Sequence, residues 1–404
     1  MIQKLKSLGP GLLFAGASIG VSHLVMSTRA GAEYGFGLVW ALLLVHLFKY
    51  PFFQYGPRYA MATGESLVDG YRKLGKGVLI TYFILAICTM FTIQSAVTIV
   101  TAGLAINLFG LTENPVTWSI VITIVIVLIL LIGRYKLLDN LMKVIIVILT
   151  ITTITSVIAA LFGSEATYSF TQMLPEGSLE IGFLIAFLGW MPSPLDLSVI
   201  HSLWALEKKK DSPEFSTEKS ISDFNIGYVF TIILGICFLS LGVLVMYGTG
   251  ESFSSSAGGF AQQLIALYTN AIGDWMYIII AIAAFTTMFS TTLTTMDASP
   301  RALSSVLSLL SKNRIKKSYW FWIFLLSIGT IFILNYLKSE MGTIVKIATI
   351  LSFLSAPFFA ISNFVLISGK HTPKEWQPSQ SMKILSYLGI LFLIGFSVWY
   401  LMNL

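Results

Sequence analysis

Long apolar segments recur along the chain, and they constrain its fold more than any other feature. A helix needs about 20 mostly apolar residues to cross a bilayer. Of the 404 residues, 56% are hydrophobic and 11% are charged, whereas soluble domains carry about 25% charged residues. The sequence therefore predicts an all-α polytopic membrane protein embedded in a lipid bilayer. About eleven transmembrane helices are expected, at residues 9–30, 35–57, 78–108, 116–133, 137–162, 179–205, 223–248, 272–298, 318–338, 343–367 and 382–403.

Basic residues are concentrated in alternate loops between these segments. Of the 25 Lys and Arg residues, 21 lie in or near the N-terminus and the loops around residues 58–76, 134–143, 208–219, 301–317 and 370–383. The opposite loops NLFGLTENP, GSEATYSFTQMLPEGSLE and GESFSSSAGGFAQQ contain neither residue. Cytoplasmic loops of membrane proteins carry the excess of Lys and Arg. We therefore expect a cytoplasmic N-terminus and, with an odd number of spans, an external C-terminus, in a bacterial inner membrane.

Other classes of protein find little support in the sequence. The net charge of +6 follows from the loop bias, so no nucleic-acid partner is expected. Cys88 and Cys237 lie in apolar segments and form no metal-binding spacing. The metalloprotease pattern HExxH and the P-loop do not occur. The sequence therefore predicts neither an enzyme nor a bound cofactor.

Two of the predicted spans contain helix-breaking residues near their centres. The first begins GPGLLFAGASIG, and the sixth contains FLGWMPSPLDLS. Proline lacks an amide hydrogen and clashes with the preceding turn, so the sixth helix cannot continue unbroken through residues 190–194. Broken backbone within a membrane is tolerated only where it faces protein or a water-filled cavity. Two ordinary kinked helices are the alternative interpretation.

The two interrupted spans are five spans apart in the chain. That offset is expected if spans 1–5 and 6–10 are inverted repeats, and a pair of interrupted spans at matching positions indicates a transport site near the membrane midplane. We therefore expect a transporter core at residues 1–367, with repeats at about 1–162 and 179–367. Residues 368–404 would form an additional C-terminal transmembrane helix.

Several ordered motifs resemble one transporter family. GPGLL and AGAEYGFGLVWALLL in the first two spans, LAINLFG in the third, GRYKLLDNLMK before the fifth and STTLTTMDASPRAL in the eighth are similar to motifs of the Nramp divalent-metal transporters. The resemblance covers the first ten spans. It implies the leucine-transporter-type fold, with a 5+5 inverted repeat and broken helices 1 and 6, and it implies a divalent metal as substrate.

The metal-site motifs of that family are replaced in this chain. Where the family has Asp-Pro-Gly-Asn in the first span, the matching residues are Gly20, Val21, Ser22 and His23. Where it has Met-Pro-His in the sixth, the matching residues are Ser193, Pro194 and Leu195. The acidic residues of the family's proton path fall on about Ser95 and Thr98, and a glutamine near its site falls on about Ser355.

A candidate binding site follows from the two breaks. Asp196 is an acidic residue inside an apolar segment, which favours a functional role, although it could instead cap the helix that follows the break. His23 could bind a metal or move protons, and the alternative is a hydrogen-bonded packing role. These two residues are the candidate metal ligands. The full predicted set is Ala17 and Trp190 (through backbone carbonyls), Gly20, Ser22, His23, Ser193, Asp196 and Ser355.

Three hypotheses for function remain open on the sequence alone. The first is an Nramp-related transporter of a divalent metal cation, working by alternating access with weak or absent proton coupling. The second is a transporter of a small organic solute, such as an amino acid, on the same fold. The third, a non-transporting membrane sensor, needs an output domain, and the sequence offers only short loops. The oligomeric state and the direction of transport are not determined by the sequence.

Five charged residues receive structural interpretations. Arg29 and Lys49 are expected to lie near membrane ends, where long basic side chains extend to the surface, and Glu33 is close enough in sequence to neutralise Arg29. Asp297 and Arg301 are four residues apart, so they can pair on one helix. The hydroxyl-rich run between residues 290 and 295 is polar enough to line a cavity.

Overall fold

Helices make up most of the described residues in the computed structural model. The structure describes residues 9–132, 135–163, 169–311, 318–336 and 340–404, with the backbone alone for 135–146 and 163. No β-strand forms within these ranges, where one isolated bridge joins Ser256 to Glu340. The prediction of an all-α protein is confirmed.

The α-helices of the described residues are numbered in chain order. They are α1 (Pro10–Ser18), α2 (Thr28–Tyr34), α3 (Val39–Thr63), α4 (Leu67–Leu74), α5 (Lys76–Phe109), α6 (Pro115–Ile132), α7 (Tyr135–Gly163), α8 (Ser178–Trp190), α9 (Leu197–Asp211), α10 (Thr217–Met246), α11 (Ala257–Ile272), α12 (Tyr277–Leu310), α13 (Ser318–Tyr336), α14 (Met341–Ser368) and α15 (Gln380–Met402). A π-helix, Ser22–Ser27, leads directly into α2, and short 3₁₀ turns lie at Gly35–Leu38, Asp274–Met276 and Lys374–Trp376.

Eight helical segments within the described ranges are long and apolar enough to cross a membrane. The π-helix, α2 and α3 count as one continuous segment, while α8 and the apolar part of α7 are shorter. Outward-facing side chains such as Ile124, Ile328 and Phe332 are 54%, 69% and 70% exposed. Contact between such apolar surface and water is unfavourable, whereas lipid tails cover it. The protein is therefore an integral membrane protein.

Each of the eleven predicted spans overlaps at least one of these helices, and residues 133, 337 and 338, at the ends of the fourth and ninth spans, lie outside the described residues. The first corresponds to α1 with the π-helix and α2, and the sixth corresponds to α8 with α9. Two helices, α4 and α11, are not among the predicted elements. Their 8 and 16 residues are too few to cross a bilayer, and α11 begins in a polar, glycine-containing stretch that is typical of a loop.

Glycines allow α10 to lie directly against α1. A Cβ on Gly11 would collide with the Asp223 carbonyl, and one on Gly227 would collide with the Gly11 carbonyl. The Asp223 carboxylate also accepts hydrogen bonds from the amides of Gly9, at 3.1 Å, and Gly11, at 2.7 Å. These amides are at the N-terminus of α1, where helices lack internal acceptors. A carboxylate from α10 therefore caps α1.

The remaining long helices surround the two broken spans. α12 packs along α5, α14 packs along α8 and α5, and α9 packs along α3. These contacts place the ends of α1 and α8 in the interior of the bundle, where their backbone groups are shielded from lipid.

Candidate substrate site

The sixth span is interrupted because two prolines follow the end of α8. In an unbroken helix the carbonyls of Leu188 and Trp190 would accept hydrogen bonds from the amides four residues further on. Those residues are Pro192 and Pro194, which have no amide hydrogen. The helix ends at Trp190, and the chain stays non-helical until α9 begins. The predicted break is confirmed.

Lys49 of α3 supplies hydrogen-bond donors to this break. Its side chain is fully buried. The Nζ atom donates to the carbonyls of Leu188 and Gly189 at 2.7 Å each, to Met191 at 3.1 Å and to Ser193 at 3.3 Å. The expectation that Lys49 extends to the membrane surface is therefore wrong. The ammonium group lies inside the bundle because the unwound segment offers it four carbonyl oxygens.

The first span is interrupted at residues 19–21, between α1 and the π-helix. The Ser18 carbonyl accepts a hydrogen bond from the Ser22 hydroxyl, and His23 Nδ1 lies 3.0 Å from the same carbonyl oxygen. The Ala17 carbonyl accepts no hydrogen bond from any described residue. This second predicted break is also confirmed, and it leaves a backbone acceptor at the C-terminal end of α1.

A cavity of about 60 Å³ lies between the two breaks. This volume is enough for roughly two water molecules. Its wall is built from both sides of the breaks, from α5 and from α12. The lining residues are Ala17, Ser18, Val21, Ser22, Ile93, Val97, Trp190, Ser193, Pro194, Asp196, Leu197, Ile200, Thr291, Thr294, Thr295, Ala298 and Ser299.

Most of the residues predicted to bind substrate are brought together in this wall. They come from two segments that are more than 160 residues apart in the chain, so the fold itself assembles them. The Trp190 carbonyl, like that of Ala17, accepts no hydrogen bond from the residues that the structure describes. The predicted residues that line the cavity are Ala17, Ser22, Trp190, Ser193 and Asp196.

Two other predicted residues, Gly20 and Ser355, do not line the cavity. Gly20 packs against α12, where a Cβ would be 2.9 Å from Thr291 Cγ2. Ser355 of α14 does not line the cavity, because its hydroxyl donates to the Ser352 carbonyl of its own helix at 3.0 Å. Ser352, one turn earlier on α14, contacts a residue of the cavity wall: the Trp190 indole donates to Ser352 Oγ at 2.8 Å. Ser352 was not predicted, because only its contact with Trp190 distinguishes it from other hydroxyls in the span.

The structure does not bring His23 and Asp196 together as a metal-binding pair. His23 is fully buried, and its ring lies outside the cavity wall. Nε2 is 2.9 Å from the Thr231 carbonyl of α10, and Nδ1 is 2.8 Å from the Ser22 hydroxyl. Both ring nitrogens are therefore engaged in helix packing, as in the alternative interpretation of this residue. Within the described ranges, no group of three or more His, Cys, Asp or Glu residues could hold a metal ion.

Asp196 provides a carboxylate at the cavity wall. It immediately precedes α9 and lies near the amides of its first turn, but no capping hydrogen bond of good geometry forms. Lys49 is close enough for an attractive charge interaction with it. Because the cap is incomplete, the carboxylate can also contact a ligand in the cavity.

Hydroxyl groups of α12 complete the polar part of the wall. Thr291 Oγ1 donates to the Thr287 carbonyl at 3.1 Å, and Thr295 Oγ1 donates to Gln94 Oε1 of α5 at 2.6 Å. Since these hydrogens are already directed elsewhere, the oxygen lone pairs are what remains for a ligand. The hydroxyl-rich run in the sequence predicts such a wall, but helix-to-helix hydrogen bonds produce the same pattern in many membrane helices.

The electrostatics of the cavity favour a positively charged ligand. The carboxyl ends of α1 and α8 both meet it, and a helix C-terminus carries a partial negative charge. The carbonyls of Ala17 and Trp190, which accept no hydrogen bond from a described residue, and the carboxylate of Asp196 add three acceptor groups. The positive charge of Lys49 is already directed at four carbonyls.

The two predicted ion pairs form elsewhere in the bundle. Arg29 and Glu33 are 2.7 Å apart, and the Arg29 guanidinium also lies 5.5 Å from the centre of the Phe183 ring. Asp297 and Arg301 are 2.8 Å apart on α12. A second cavity of about 370 Å³ lies beside the first pair. Its lining includes Met26, Arg29, Glu33, Tyr34, Glu180, Phe183 and Lys346.

The two broken helices, the cavity between them and the surrounding bundle define a membrane transporter, not an enzyme. The chain belongs to the Nramp family, since the model of the natural resistance-associated macrophage protein-like family matches residues 11–403. An uncharacterized protein of Pasteurella multocida is 36% identical over 406 residues, covering 99% of this chain and 92% of that protein.

Solved transporters share the fold at low sequence identity. A manganese transporter of Eremococcus coleocola superposes with a TM-score of 0.74 at 13% identity, covering 98% of this chain and 85% of that one. MhsT, solved in complex with L-phenylalanine, gives 0.64 at 15% identity, with coverages of 96% and 98%. Mhp1, a nucleobase-cation-symport-1 family transporter, gives 0.62 at 12% identity, with coverages of 97% and 92%. The leucine-transporter-type fold expected from the resemblance is confirmed.

Proposed function

We propose that this chain carries a small, hard divalent cation across the membrane by alternating access around the cavity between its two broken helices. The observation that supports the proposal most strongly is the set of acceptors in the wall: the unpaired carbonyls of Ala17 and Trp190 beside the Asp196 carboxylate. A cation needs such oxygens to replace the water molecules that it loses on entering the membrane.

The donor set favours a hard cation over a soft one. Carbonyl, hydroxyl and carboxylate oxygens suit Mg²⁺, Ca²⁺ and Mn²⁺, whereas thioether and thiolate sulfur favour softer metals. The thioether position of the family motif is Ser193 here, and the imidazole of His23 is directed at α10. Because Mg²⁺ commonly keeps part of its hydration shell, a cavity of about 60 Å³ suits an ion with one or two of its waters.

Weak or absent proton coupling is part of the proposal. The positions that match the family's acidic proton path carry Ser95 and Thr98, whose hydroxyls do not titrate near neutral pH. Thr98 accepts a hydrogen bond from Gln94 at 3.3 Å. A proton passing these positions would therefore have to be carried by water, because neither side chain is an acid that can hold it.

A transporter of a small organic solute is the second candidate. One structural relative of the same fold was solved with L-phenylalanine bound, so the fold itself accommodates such ligands. In this chain the Asp196 carboxylate would repel the carboxylate of an amino acid. The small cavity would also have to widen considerably to enclose one. These two features favour the cation.

Uptake into proteoliposomes tests the proposal. The purified protein is reconstituted around a dye that reports Mn²⁺ or Mg²⁺, and the initial rate is compared with that of Asp196→Asn. Loss of the charged ligand should reduce uptake by about tenfold or more, the factor that corresponds to about 1.4 kcal/mol of binding free energy. Asp211→Asn is the matched control, because Asp211 is an exposed residue at the far end of the same helix.

Two outcomes would contradict the proposal. One is that Asp196→Asn transports the cation at the wild-type rate. The other is that neither cation enters wild-type vesicles while a mixture of labelled amino acids does, in which case the second candidate would replace the first.

A further inference from the structure

Lys49 is a buried lysine that the cation-binding proposal does not use. It lies in the interior of α3 with no exposed surface. A charged side chain at membrane depth is costly unless it is paired with compensating groups, and such residues are functional candidates by default. Here the compensating groups are four carbonyls of one short segment, at 2.7 to 3.3 Å from Nζ.

The arrangement resembles a cation-binding site in which the bound cation is a side chain of the protein itself. Three of the four carbonyls, those of Leu188, Gly189 and Met191, are at or next to the C-terminal end of α8, which carries a partial negative charge. At least one of them, Leu188, cannot find a helical donor, because Pro192 occupies the donor position. Such a ring of unpaired carbonyls would otherwise attract water or an inorganic cation.

The neighbouring carboxylate also favours an ammonium group at this position. Asp196 interacts attractively with Lys49 and lies in the wall of the substrate cavity. The Trp190 carbonyl is not among the acceptors of Lys49. Four carbonyl oxygens of this segment therefore accept from Lys49, while the Trp190 carbonyl oxygen is left for a ligand in the cavity.

We propose that the Lys49 ammonium group is a built-in cation that occupies the carbonyl ring at the end of α8, so that no Na⁺ or K⁺ has to bind there. Lys49 is then a positioning residue: it holds the unwound segment so that Trp190 and Asp196 face the substrate. For transport, the consequence is that uptake does not depend on Na⁺. That consequence rests on the proposed function, whereas occupation of the carbonyl ring does not.

Thermal stability in two salts tests the occupation directly. The detergent-solubilised wild type, Lys49→Ala and Lys49→Met are melted in NaCl and in choline chloride at equal ionic strength. The wild type should melt at the same temperature in both salts. Lys49→Ala removes the ammonium and opens room at the carbonyls, so it should melt lower in choline and rise by about 3 °C or more in Na⁺. Lys49→Met removes the charge but fills the space, so it should melt lower in both salts alike.

Three results would overturn the proposal. The wild type could melt higher in Na⁺ than in choline, which shows that an ion already binds. Lys49→Ala could be as stable as the wild type in choline, or it could be destabilised equally in both salts, which would make Lys49 a packing residue only. Even if both variants fail to fold, a wild type that melts higher in Na⁺ than in choline contradicts the proposal.

Uptake separates this inference from the proposed function. Wild-type cation uptake should be equal in Na⁺ and choline, and the exposed Lys76 at the start of α5 provides a control variant, Lys76→Met, with unchanged uptake and melting. A wild type that requires Na⁺ for uptake contradicts the inference. If no cation is transported but the melting pattern holds, the proposed function fails and the role of Lys49 stands.

Discussion

Among single residues, Gly189 shows how closely the helix break is packed against its neighbours. A Cβ at this position would collide with the Thr349 carbonyl of α14. Gly189→Ala is therefore expected to lower the free energy of unfolding by about 1–3 kcal/mol, the usual cost of overpacking. Thermal melting of the purified variant measures the change.

Gly395→Ala is the matched control for this prediction. Gly395 is also inside a helix, α15, but a Cβ there would meet no atom within 4 Å. Alanine has the better helix propensity by about 1 kcal/mol, so this variant should be as stable as the wild type or slightly more stable. Equal melting temperatures for the two alanine variants would mean that α8 and α14 are not in backbone contact.

The residues of the site were predictable from the sequence to different degrees. Ala17, Trp190 and Asp196 follow from the positions of glycine and proline, because the ends of broken helices leave acceptors wherever the break lies. The partners of Lys49 are at least 139 residues away in the chain, and a lone lysine in an apolar segment carries no sign of them. For His23 the sequence predicts a place beside the break, but not that its ring turns toward α10.

Among the helices, the break between α8 and α9 depends on two prolines. Pro194→Ala would restore an amide that can donate to the Trp190 carbonyl, and would so remove an acceptor from the cavity. We expect cation uptake to fall severalfold, while the melting temperature stays equal or rises. Both are measured on the same preparation, since a loss of uptake with reduced stability would only indicate misfolding.

Pro115→Ala serves as the control for this change. Pro115 is the first residue of α6, where the missing amide hydrogen would have had no helical partner. Its uptake should equal that of the wild type. Wild-type uptake by Pro194→Ala as well would indicate that the Trp190 carbonyl is not a ligand.

Helix existence was largely predictable from apolar length, because the bilayer sets a minimum span. Helix ends were less predictable. The seventh predicted span starts at 223, whereas α10 begins at Thr217 after a Ser216 cap, and the eighth ends at 298, whereas α12 continues to Leu310 with Pro300 inside it. In both cases the helix continues past the apolar segment into polar sequence, where the apolar signal stops. α11 gives no span signal at all.

For the molecule as a whole, two interrupted spans five apart predict the inverted-repeat transporter fold, and the match to solved transporters confirms it. The cytoplasmic position of the N-terminus and the division into repeats stay predictions, supported by the loop charges and the positions of the breaks. Substrate identity depends on a few side chains that the shared fold does not determine.

Anomalous X-ray diffraction from crystals soaked in Mn²⁺ tests the central claim most directly. The account predicts a peak in the cavity between the Ala17 and Trp190 carbonyls and the Asp196 carboxylate, and a much weaker peak there in crystals of Asp196→Asn. A cavity without a peak, or a peak only at Glu33 and Glu180 in the second cavity, would contradict it.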